Sequence, residues 1–279
     1  MHPLTCNGQY RRNSPPYKLQ PTTDLIVSKM SLEGKVVLIT GGAKNLGAEI
    51  ALSLASIGGN LALHYNSPST KNNADVLAKT ISQSFPKVKY EFYQGDLTTK
   101  AAVDNLFESV LKDFGKVDIV INTIGKVLKK SIAEISEAEY DSMFDVNSKS
   151  AFLILQAGAK HVEDGGKIIT IVTALLAAFT GFYTSYAGSK APVEHFTRGV
   201  AKELMGRRIS VNAVAPGPMD TPFFYPQEAD DAVAFHKSQA LEGRLTDVKD
   251  IAPLVKFLVT EGGWITGQTI FANGGYTTR

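Results

Sequence analysis

The chain has 279 residues, of which 44% are hydrophobic and 20% are charged, enough apolar sequence for one large α/β domain. Its formal net charge of +2 comes from interspersed acidic and basic residues, so no basic surface for nucleic acid is predicted. Cys6 is the only cysteine, which excludes an intrachain disulfide and a cysteine-built metal site, and the longest apolar stretch, residues 168–179, is too short to span a bilayer. We therefore expect a cytoplasmic protein without a metal ion and without a membrane or nucleic acid partner.

Residues 1–30 differ in composition from the rest of the chain. They contain several prolines, show no strand or helix periodicity and lack the apolar core of a secretory signal. Arg11 and Arg12, with no acidic residue before Asp24, leave mitochondrial targeting open as an alternative to the cytoplasm. We interpret residues 1–30 as an extended or disordered arm and residues 31–279 as the folded catalytic domain.

Strand and helix patterns alternate along the folded domain. The predicted strands are residues 35–40, 60–65, 88–94, 117–121, 167–172, 209–214 and 268–272. The predicted helices are residues 46–57, 70–84, 99–114, 137–161, 185–205 and 247–259. Unbroken apolar strands that alternate with helices predict an α/β fold, in which helices cover both faces of a mostly parallel sheet.

A glycine-rich turn, residues 40–47, joins the first strand to the first helix. Small residues in this context let the backbone approach a pyrophosphate, which rests at the helix N-terminus. Asparagine occupies the middle glycine position, and it is a non-glycine residue that tolerates left-handed backbone angles. The residues of this turn that we expect to contact a dinucleotide are Gly41, Lys44, Asn45, Leu46 and Gly47.

The end of the second strand indicates which dinucleotide is bound. Folds that prefer NAD place an acidic residue there for the ribose 2′-hydroxyl, but residues 64–70 contain none. The amide of Asn66, the hydroxyl of Ser67 and the ammonium of Lys44 suit a 2′-phosphate instead, so the sequence favours NADP(H). We interpret His64 as an ordinary strand residue, because nothing nearby completes a ligand set.

Turns after the third and fourth strands supply further candidate cofactor contacts. Asp96 and Leu97 follow the third strand, where a carboxylate can accept a hydrogen bond from the adenine amino group. Capping of the next helix is the alternative role for Asp96. Asn122 and Gly125 form an Asn-x-x-Gly turn after the fourth strand, where a glycine permits close packing of the backbone against the cofactor.

A Pro-Gly turn after the sixth strand could cover the nicotinamide. Its candidate contacts, with Thr221 bonding the carboxamide, are Pro216, Gly217, Met219 and Thr221. A separate signal is Asn147, which lies in the middle of a predicted helix where asparagine is unfavourable. We therefore expect Asn147 to have a function, such as holding a water molecule beside Lys190.

The proposed active site contains Thr173, Tyr186 and Lys190. The tyrosine and the lysine are four residues apart, so on a helix they lie on one face. A nearby ammonium favours the phenolate and lowers the pKa of a tyrosine, which could then exchange a proton with a carbonyl oxygen. Thr173 ends a predicted strand, and its hydroxyl could bond the same oxygen.

From about residue 32 to residue 276 the chain resembles the short-chain dehydrogenase/reductase family. The glycine-rich turn, Asn-x-x-Gly, helical Asn, Tyr-x-x-x-Lys and Pro-Gly motifs occur in the order and spacing of that family. The resemblance implies a single Rossmann-type, doubly wound domain with a mostly seven-stranded parallel sheet flanked by helices, assembled as a homotetramer or homodimer. It also implies a catalytic tetrad with Tyr186 as the general acid/base, Lys190 bonding the nicotinamide ribose and Asn147 holding a relay water. Thr173 stands where the family usually has serine, which keeps the hydroxyl.

The resemblance also indicates where a substrate would bind. The expected pocket residues, together with a mobile lid that extends through residue 240, are Leu175, Phe179, Tyr183, Phe223 and Phe224. This lining is apolar and aromatic, with no arginine to bind a carboxylate, so a bulky, hydrophobic ketone or aldehyde is the predicted small-molecule substrate. The leading interpretation is an NADPH-dependent carbonyl reductase.

Two alternatives remain open at this point. A 3-oxoacyl reductase that acts on a carrier-bound thioester would need a basic docking patch, for which Arg198, Arg207 and Arg208 are the candidates. A non-catalytic NADP(H)-binding sensor would be indicated by loss of the tyrosine or the lysine, and both are present. Proline at position 192, just after Lys190, could kink the catalytic helix.

Overall fold

The computed structural model describes residues 30–178 and 180–278, so the predicted arm lies outside the described residues apart from Met30. Seven parallel strands within these ranges form one sheet in the order β3-β2-β1-β4-β5-β6-β7. The strands are β1 (Val36–Thr40), β2 (Asn60–Tyr65), β3 (Tyr90–Gln94), β4 (Val117–Asn122), β5 (Val162–Ile171), β6 (Ser210–Pro216) and β7 (Thr269–Ala272). This order confirms the predicted Rossmann-type, doubly wound α/β fold.

Helices cover both faces of the sheet. They are α1 (Asn45–Ala55), α2 (Lys71–Ser84), α3 (Lys100–Phe114), α4 (Glu137–Phe144), α5 (Ser150–His161), α6 (Thr184–Glu203), α7 (Asp230–Ser238) and α8 (Val248–Thr260). Within the described ranges, none of these helices is both long and apolar enough to cross a membrane.

Strands β1, β2, β4 and β6 are largely apolar because they are buried on both faces, whereas β3, at the edge of the sheet, is only partly buried. In β1, Val37 and Ile39 pack with α1 and α8 on one side of the sheet, whereas Val36 and Leu38 pack with α3 and α5 on the other side. All four side chains are buried. An alternating pattern of apolar and polar residues, typical of a sheet with one wet face, could not build this two-sided core.

Several predicted elements differ in detail from the structure, including β5, which begins at Val162 and not at residue 167. The predicted helix at residues 137–161 is α4 and α5 joined by a π-helical segment, Asp145–Lys149, with Asn147 at its centre. The lid, predicted without a helix, contains α7. Proline at position 192 lies inside α6, but α6 runs through it without interruption.

The strand order places the candidate site. The strand order reverses between β1 and β4, which are hydrogen-bonded neighbours. In an open α/β sheet such a reversal leaves a crevice at the carboxyl ends of the two strands. The glycine-rich turn follows β1 and the Asn-x-x-Gly turn follows β4, so the two turns lie side by side. Thr123 fixes them together, because its backbone N–H donates to the carbonyl of Thr40 at 2.9 Å.

Candidate active site

A cleft of about 2220 Å³, partly open to solvent, lies at the carboxyl ends of the strands. Most of the residues predicted to bind the cofactor line it, namely Gly41, Lys44, Asn45, Leu46, Gly47, Asn66, Ser67, Asp96, Leu97, Gly125, Tyr186, Lys190, Met219 and Thr221. Three predicted contacts lie elsewhere. Pro216 and Gly217 line an adjacent cavity, and the buried carboxamide of Asn122 accepts hydrogen bonds from the Thr40 hydroxyl and the Ile124 N–H behind the cleft wall. Asn122 therefore shapes the turn from behind the wall.

The glycine-rich turn fits a dinucleotide. A Cβ on Gly47 would lie 2.3 Å from the carbonyl oxygen of Gly41, so the turn closes against its own helix and leaves room only for hydrogen at this position. Asn45 adopts a φ of 48°, in the left-handed region, as its residue type suggested. Helix α1 begins without a side-chain cap or an acidic residue in its first turn, so its N-terminal N–H groups are available to a pyrophosphate.

His64 has a structural role that sequence analysis missed. Its Nδ1 accepts a hydrogen bond from the backbone N–H of Gly41 at 3.3 Å, and its Nε2 lies 2.7 Å from the carbonyl oxygen of Gly95. These partners require a proton on Nε2 and none on Nδ1. The ring is buried, and this burial lowers its pKa below the ordinary histidine value of 6.5. One sequence signal could have indicated this role: His64 is a polar residue near the end of a mostly apolar strand.

Lys190 on α6 is buried, and its ammonium lies between the turn after β4 and the end of β5. Its Nζ donates to the carbonyl oxygens of Ile124, at 3.0 Å, and Ile171, at 3.1 Å. Burial lowers the pKa of Lys190 to about 8. A Cβ on Gly125 would lie 3.4 Å from this Nζ, so the glycine makes room for the lysine as well as lining the cleft.

Asn147 joins the turn after β4 to α6. Its Nδ2 donates to the carbonyl oxygen of Lys126 at 2.8 Å and to the hydroxyl of Ser189 at 2.9 Å, and its Oδ1 accepts from the Lys126 N–H at 2.8 Å. Asn147 lies at the centre of the π-helical segment, and such segments are common at functional sites. The water-holding role of Asn147 stays a prediction.

Tyr186 lies one turn before Lys190 on α6, and its phenol lies close to the hydroxyl of Thr173. The predicted lowering of the tyrosine pKa by the lysine is not what the structure shows. Burial raises the pKa of Tyr186, and the Thr173 hydroxyl opposes this shift. The physical reason is that the phenol loses its hydration while the Lys190 ammonium donates to backbone carbonyls.

A second cavity, partly open to solvent, adjoins the cofactor cleft. The predicted substrate residues Leu175, Tyr183, Phe223 and Phe224 line it together with Tyr186 and Thr173, while Phe179 falls outside the described residues. The sequence predicted an apolar and aromatic lining, but polar residues also line this cavity. A polar wall that could not be predicted from sequence is formed by Gln227, Glu228, His236 and Tyr276. The lid and the C-terminal segment reach the cavity only in the folded chain.

Comparisons with known proteins identify the family. Residues 41–277 match the family model described as enoyl-(acyl carrier protein) reductase. A short-chain type dehydrogenase/reductase of Picea abies is 38% identical over 254 residues, covering 88% of this chain and 93% of that protein. The chloroplastic NADPH-dependent aldehyde reductase 2 of Arabidopsis thaliana is 34% identical over 260 residues, 88% of this chain and 95% of its own length.

A solved structure gives the same result. A dehydrogenase from Burkholderia cenocepacia with bound NADP superposes with a TM-score of 0.87 at 55% identity, covering 91% of this chain and 97% of that chain. The chain belongs to the short-chain dehydrogenase/reductase family and is an oxidoreductase.

Proposed function

We propose that the protein reduces a bulky, hydrophobic ketone or aldehyde to an alcohol with NADPH. The observation that carries this proposal is the position of Tyr186, whose side chain lines both the cofactor cleft and the adjoining cavity. A carbonyl compound in the cavity would therefore meet a proton donor at the boundary with the cofactor site. When bound, NADPH supplies the hydride.

The cofactor is NADP(H). The Burkholderia cenocepacia structure holds NADP, and the Arabidopsis thaliana relative is named for its dependence on NADPH. In this chain the cleft beside the end of β2 is lined by Asn66, Ser67 and Ser69, with Lys44 across from them in the glycine-rich turn. These hydroxyl, amide and ammonium groups suit a phosphate, whereas a carboxylate at this place would repel one.

Residues of this chain supply the proton and position the substrate and the cofactor. Tyr186 donates a proton to the carbonyl oxygen of the substrate, and the Thr173 hydroxyl holds that oxygen by a second hydrogen bond. Lys190 anchors the turn after β4 through Ile124 and presents a positive charge to the cofactor ribose. Asn147 fixes the same turn through Lys126, which keeps the tetrad aligned.

The alternative of a carrier-dependent reductase has less support. Two of its three candidate docking residues are engaged within the chain, since Arg198 pairs with Glu194 and Arg207 binds Asp164 and the carbonyl oxygens of Ala159 and Val162. A non-catalytic sensor is also disfavoured, because Tyr186 and Lys190 are both in place at the boundary of the two cavities.

Self-association as a homotetramer or homodimer is part of the proposal. Large apolar side chains are exposed on α5, on α8 and before β7, namely Phe152, Phe257 and Trp264, which is 99% exposed. We propose these side chains as candidate subunit contacts. The cytoplasmic location remains a prediction.

The test is the initial rate of NADPH oxidation, with NADH in parallel, over aryl ketones, diketones, β-keto esters, aldehydes and sugars. We expect turnover of hydrophobic ketones or aldehydes with NADPH at a much higher kcat/KM than with NADH. Turnover of sugars only, or a preference for NADH, would contradict the proposal.

A further inference from the structure

The lid over the substrate cavity, residues 221–240, has no apolar core of its own. The structure describes this range in full, and no apolar residue in it is buried: its buried residues are Thr221 and His236, whereas Tyr225 and Phe235 are exposed. Helix α7 of the lid has nine residues, and an isolated helix shorter than about 12 residues is marginal in water. Polar contacts with the rest of the chain must therefore hold the lid in place.

Lys129, in the loop that follows β4, bonds two neighbouring lid residues. Its backbone N–H donates to Gln227 Oε1 at 3.2 Å, and its Nζ donates to Glu228 Oε2 at 2.5 Å. The side chain of Glu228 has no exposed surface, whereas that of Lys129 is 24% exposed. The carboxylate is therefore shielded from water and depends on the ammonium for its charge compensation.

The same carboxylate joins the lid to the start of the catalytic helix. Glu228 Oε1 accepts a hydrogen bond from the hydroxyl of Tyr183, which immediately precedes α6. The ring of Tyr183 packs edge to face on that of Tyr186, with 6.1 Å between the centroids. Lys129 Nζ lies 5.7 Å from the centroid of the Tyr183 ring, so the lysine, the tyrosine and the glutamate contact one another. One lid residue thus reaches both the loop after β4 and the neighbour of the proposed proton donor.

His236 on α7 makes a weaker contact with this carboxylate. Its Nε2 lies 3.5 Å from Glu228 Oε1, and its Nδ1 lies 2.9 Å from the hydroxyl of Tyr276 in the C-terminal segment. A separation of 3.5 Å exceeds the usual N–H···O range of about 2.7 to 3.2 Å. Lys129 and Tyr183 are therefore the close partners of Glu228, and the histidine attaches α7 mainly to the C-terminal segment.

The burial of Glu228 makes closure of the lid depend on its partners. A buried carboxylate that loses its paired cation is left uncompensated, which is strongly destabilising. Because the lid has no apolar core, the least costly relief is an outward movement of the lid that returns the carboxylate to water. The ion pair therefore has two stable arrangements, buried with the lid closed and hydrated with the lid open.

From this geometry we propose that the Lys129–Glu228 ion pair is a latch that closes the lid over the substrate cavity. Glu228 is then a positioning residue, which holds the lid against Tyr183 while a carbonyl compound lies beside Tyr186. When the pair separates, the lid opens and the cavity exchanges its contents with solvent. This inference rests on the proposed carbonyl reduction and names the device that controls access to its site.

The first test is amide hydrogen exchange of the NADP⁺-loaded protein, which needs neither substrate nor turnover. In Lys129→Met the amides of α7 should exchange about 10-fold faster or more than in the wild type, while those of β1 exchange at the wild-type rate. Lys130→Met is the matched control, because the adjacent Lys130 pairs with Glu139 on α4 and not with the lid. Wild-type exchange of α7 in Lys129→Met would overturn the latch.

A double variant tests whether the unpaired charge is what opens the lid. Adding Glu228→Gln to Lys129→Met removes the uncompensated carboxylate, so α7 should exchange more slowly in the double variant than in Lys129→Met. Additive acceleration by the two substitutions would overturn the proposal. Glu228→Gln alone keeps the side-chain volume and leaves the part-exposed ammonium free to be hydrated, so it tests the pair even if Lys129→Met does not fold. It should also speed exchange of α7, and wild-type exchange in it would count against the latch.

Kinetics separate a latch from a fixed structural support. In Lys129→Met we expect KM for the best ketone or aldehyde to rise by about 10-fold or more, because the closed lid is populated only in part before substrate binds. The kcat should stay within about 3-fold of the wild-type value, since saturating substrate draws the lid closed. A fall in kcat at unchanged KM would overturn the latch. Hydrogen exchange decides the inference even if no ketone is reduced, so its failure is distinguishable from that of the proposed function.

Discussion

The carbonyl oxygen of Gly41 lies 2.3 Å from the position that a Cβ on Gly47 would occupy. This is a contact between backbone atoms of the turn and the first turn of α1, so no side chain can move aside to relieve it. The next nearest atom, the Cα of Gly42 at 2.9 Å, belongs to the same turn. The shape of the glycine-rich turn at the cofactor cleft therefore requires glycine at position 47.

Gly47→Ala should weaken NADPH binding by about 10-fold or more and lower the unfolding temperature, because the turn must shift away from α1. Gly199→Ala is the matched control. Gly199 lies in α6 with no atom within 4 Å of an added Cβ, and alanine there should raise the unfolding free energy by about 0.5 to 1 kcal/mol. Calorimetry and thermal denaturation measure both variants, and equal behaviour would contradict the close approach.

His64 should make the stability of the protein depend on pH. Its pKa is lowered in the folded state, so as pH falls the unfolded chain takes up a proton first, and the unfolding free energy drops below about pH 6.5. Protonation of Nδ1 would also break the bond from the Gly41 N–H. Denaturation of the wild type and His64→Asn between about pH 5.5 and 8 should show a smaller pH slope in the variant. Equal slopes would refute the assignment.

Lys190 should make the unfolding free energy depend on pH in the alkaline range. Its folded pKa of about 8 lies below the ordinary lysine value of 10.5, so the unfolded state binds more protons between these values. The unfolding free energy should therefore rise as pH increases above about 8, and Lys190→Met should lack this rise. The comparison is best made below pH 10, because burial raises the pKa of Tyr186 and that group acts with the opposite sign at higher pH. A rise of the same size in the variant would contradict the buried ammonium.

The fold and the cofactor side of the site could be predicted from sequence because their signals are local. Strand β1 is apolar from Val36 to Ile39 because both its faces are buried, and Asn147 stands out because asparagine is unfavourable in a regular helix. The polar wall of the substrate cavity could not be predicted in this way. Glu228 meets Lys129 across 99 residues and Tyr183 across 45, through a lid with no repeating pattern.

The direction of the pKa shift of Tyr186 could not be predicted from the sequence either. The spacing of Tyr186 and Lys190 correctly places both on α6, but spacing does not say what the ammonium contacts. In the folded chain the ammonium donates to Ile124 and Ile171, whose carbonyl oxygens come from the turn after β4 and the end of β5. Only the assembled sheet brings these acceptors within reach.

The central claim is that Tyr186 donates the proton in an NADPH-dependent carbonyl reduction. The most direct measurement is the turnover number for NADPH oxidation with the best ketone or aldehyde substrate, in the wild type and in Tyr186→Phe, together with the NADPH dissociation constant of both. We predict a loss of at least about 100-fold in kcat with nearly unchanged NADPH affinity, because only the proton donor is removed. A Tyr186→Phe enzyme that retained kcat near the wild-type value would contradict the account.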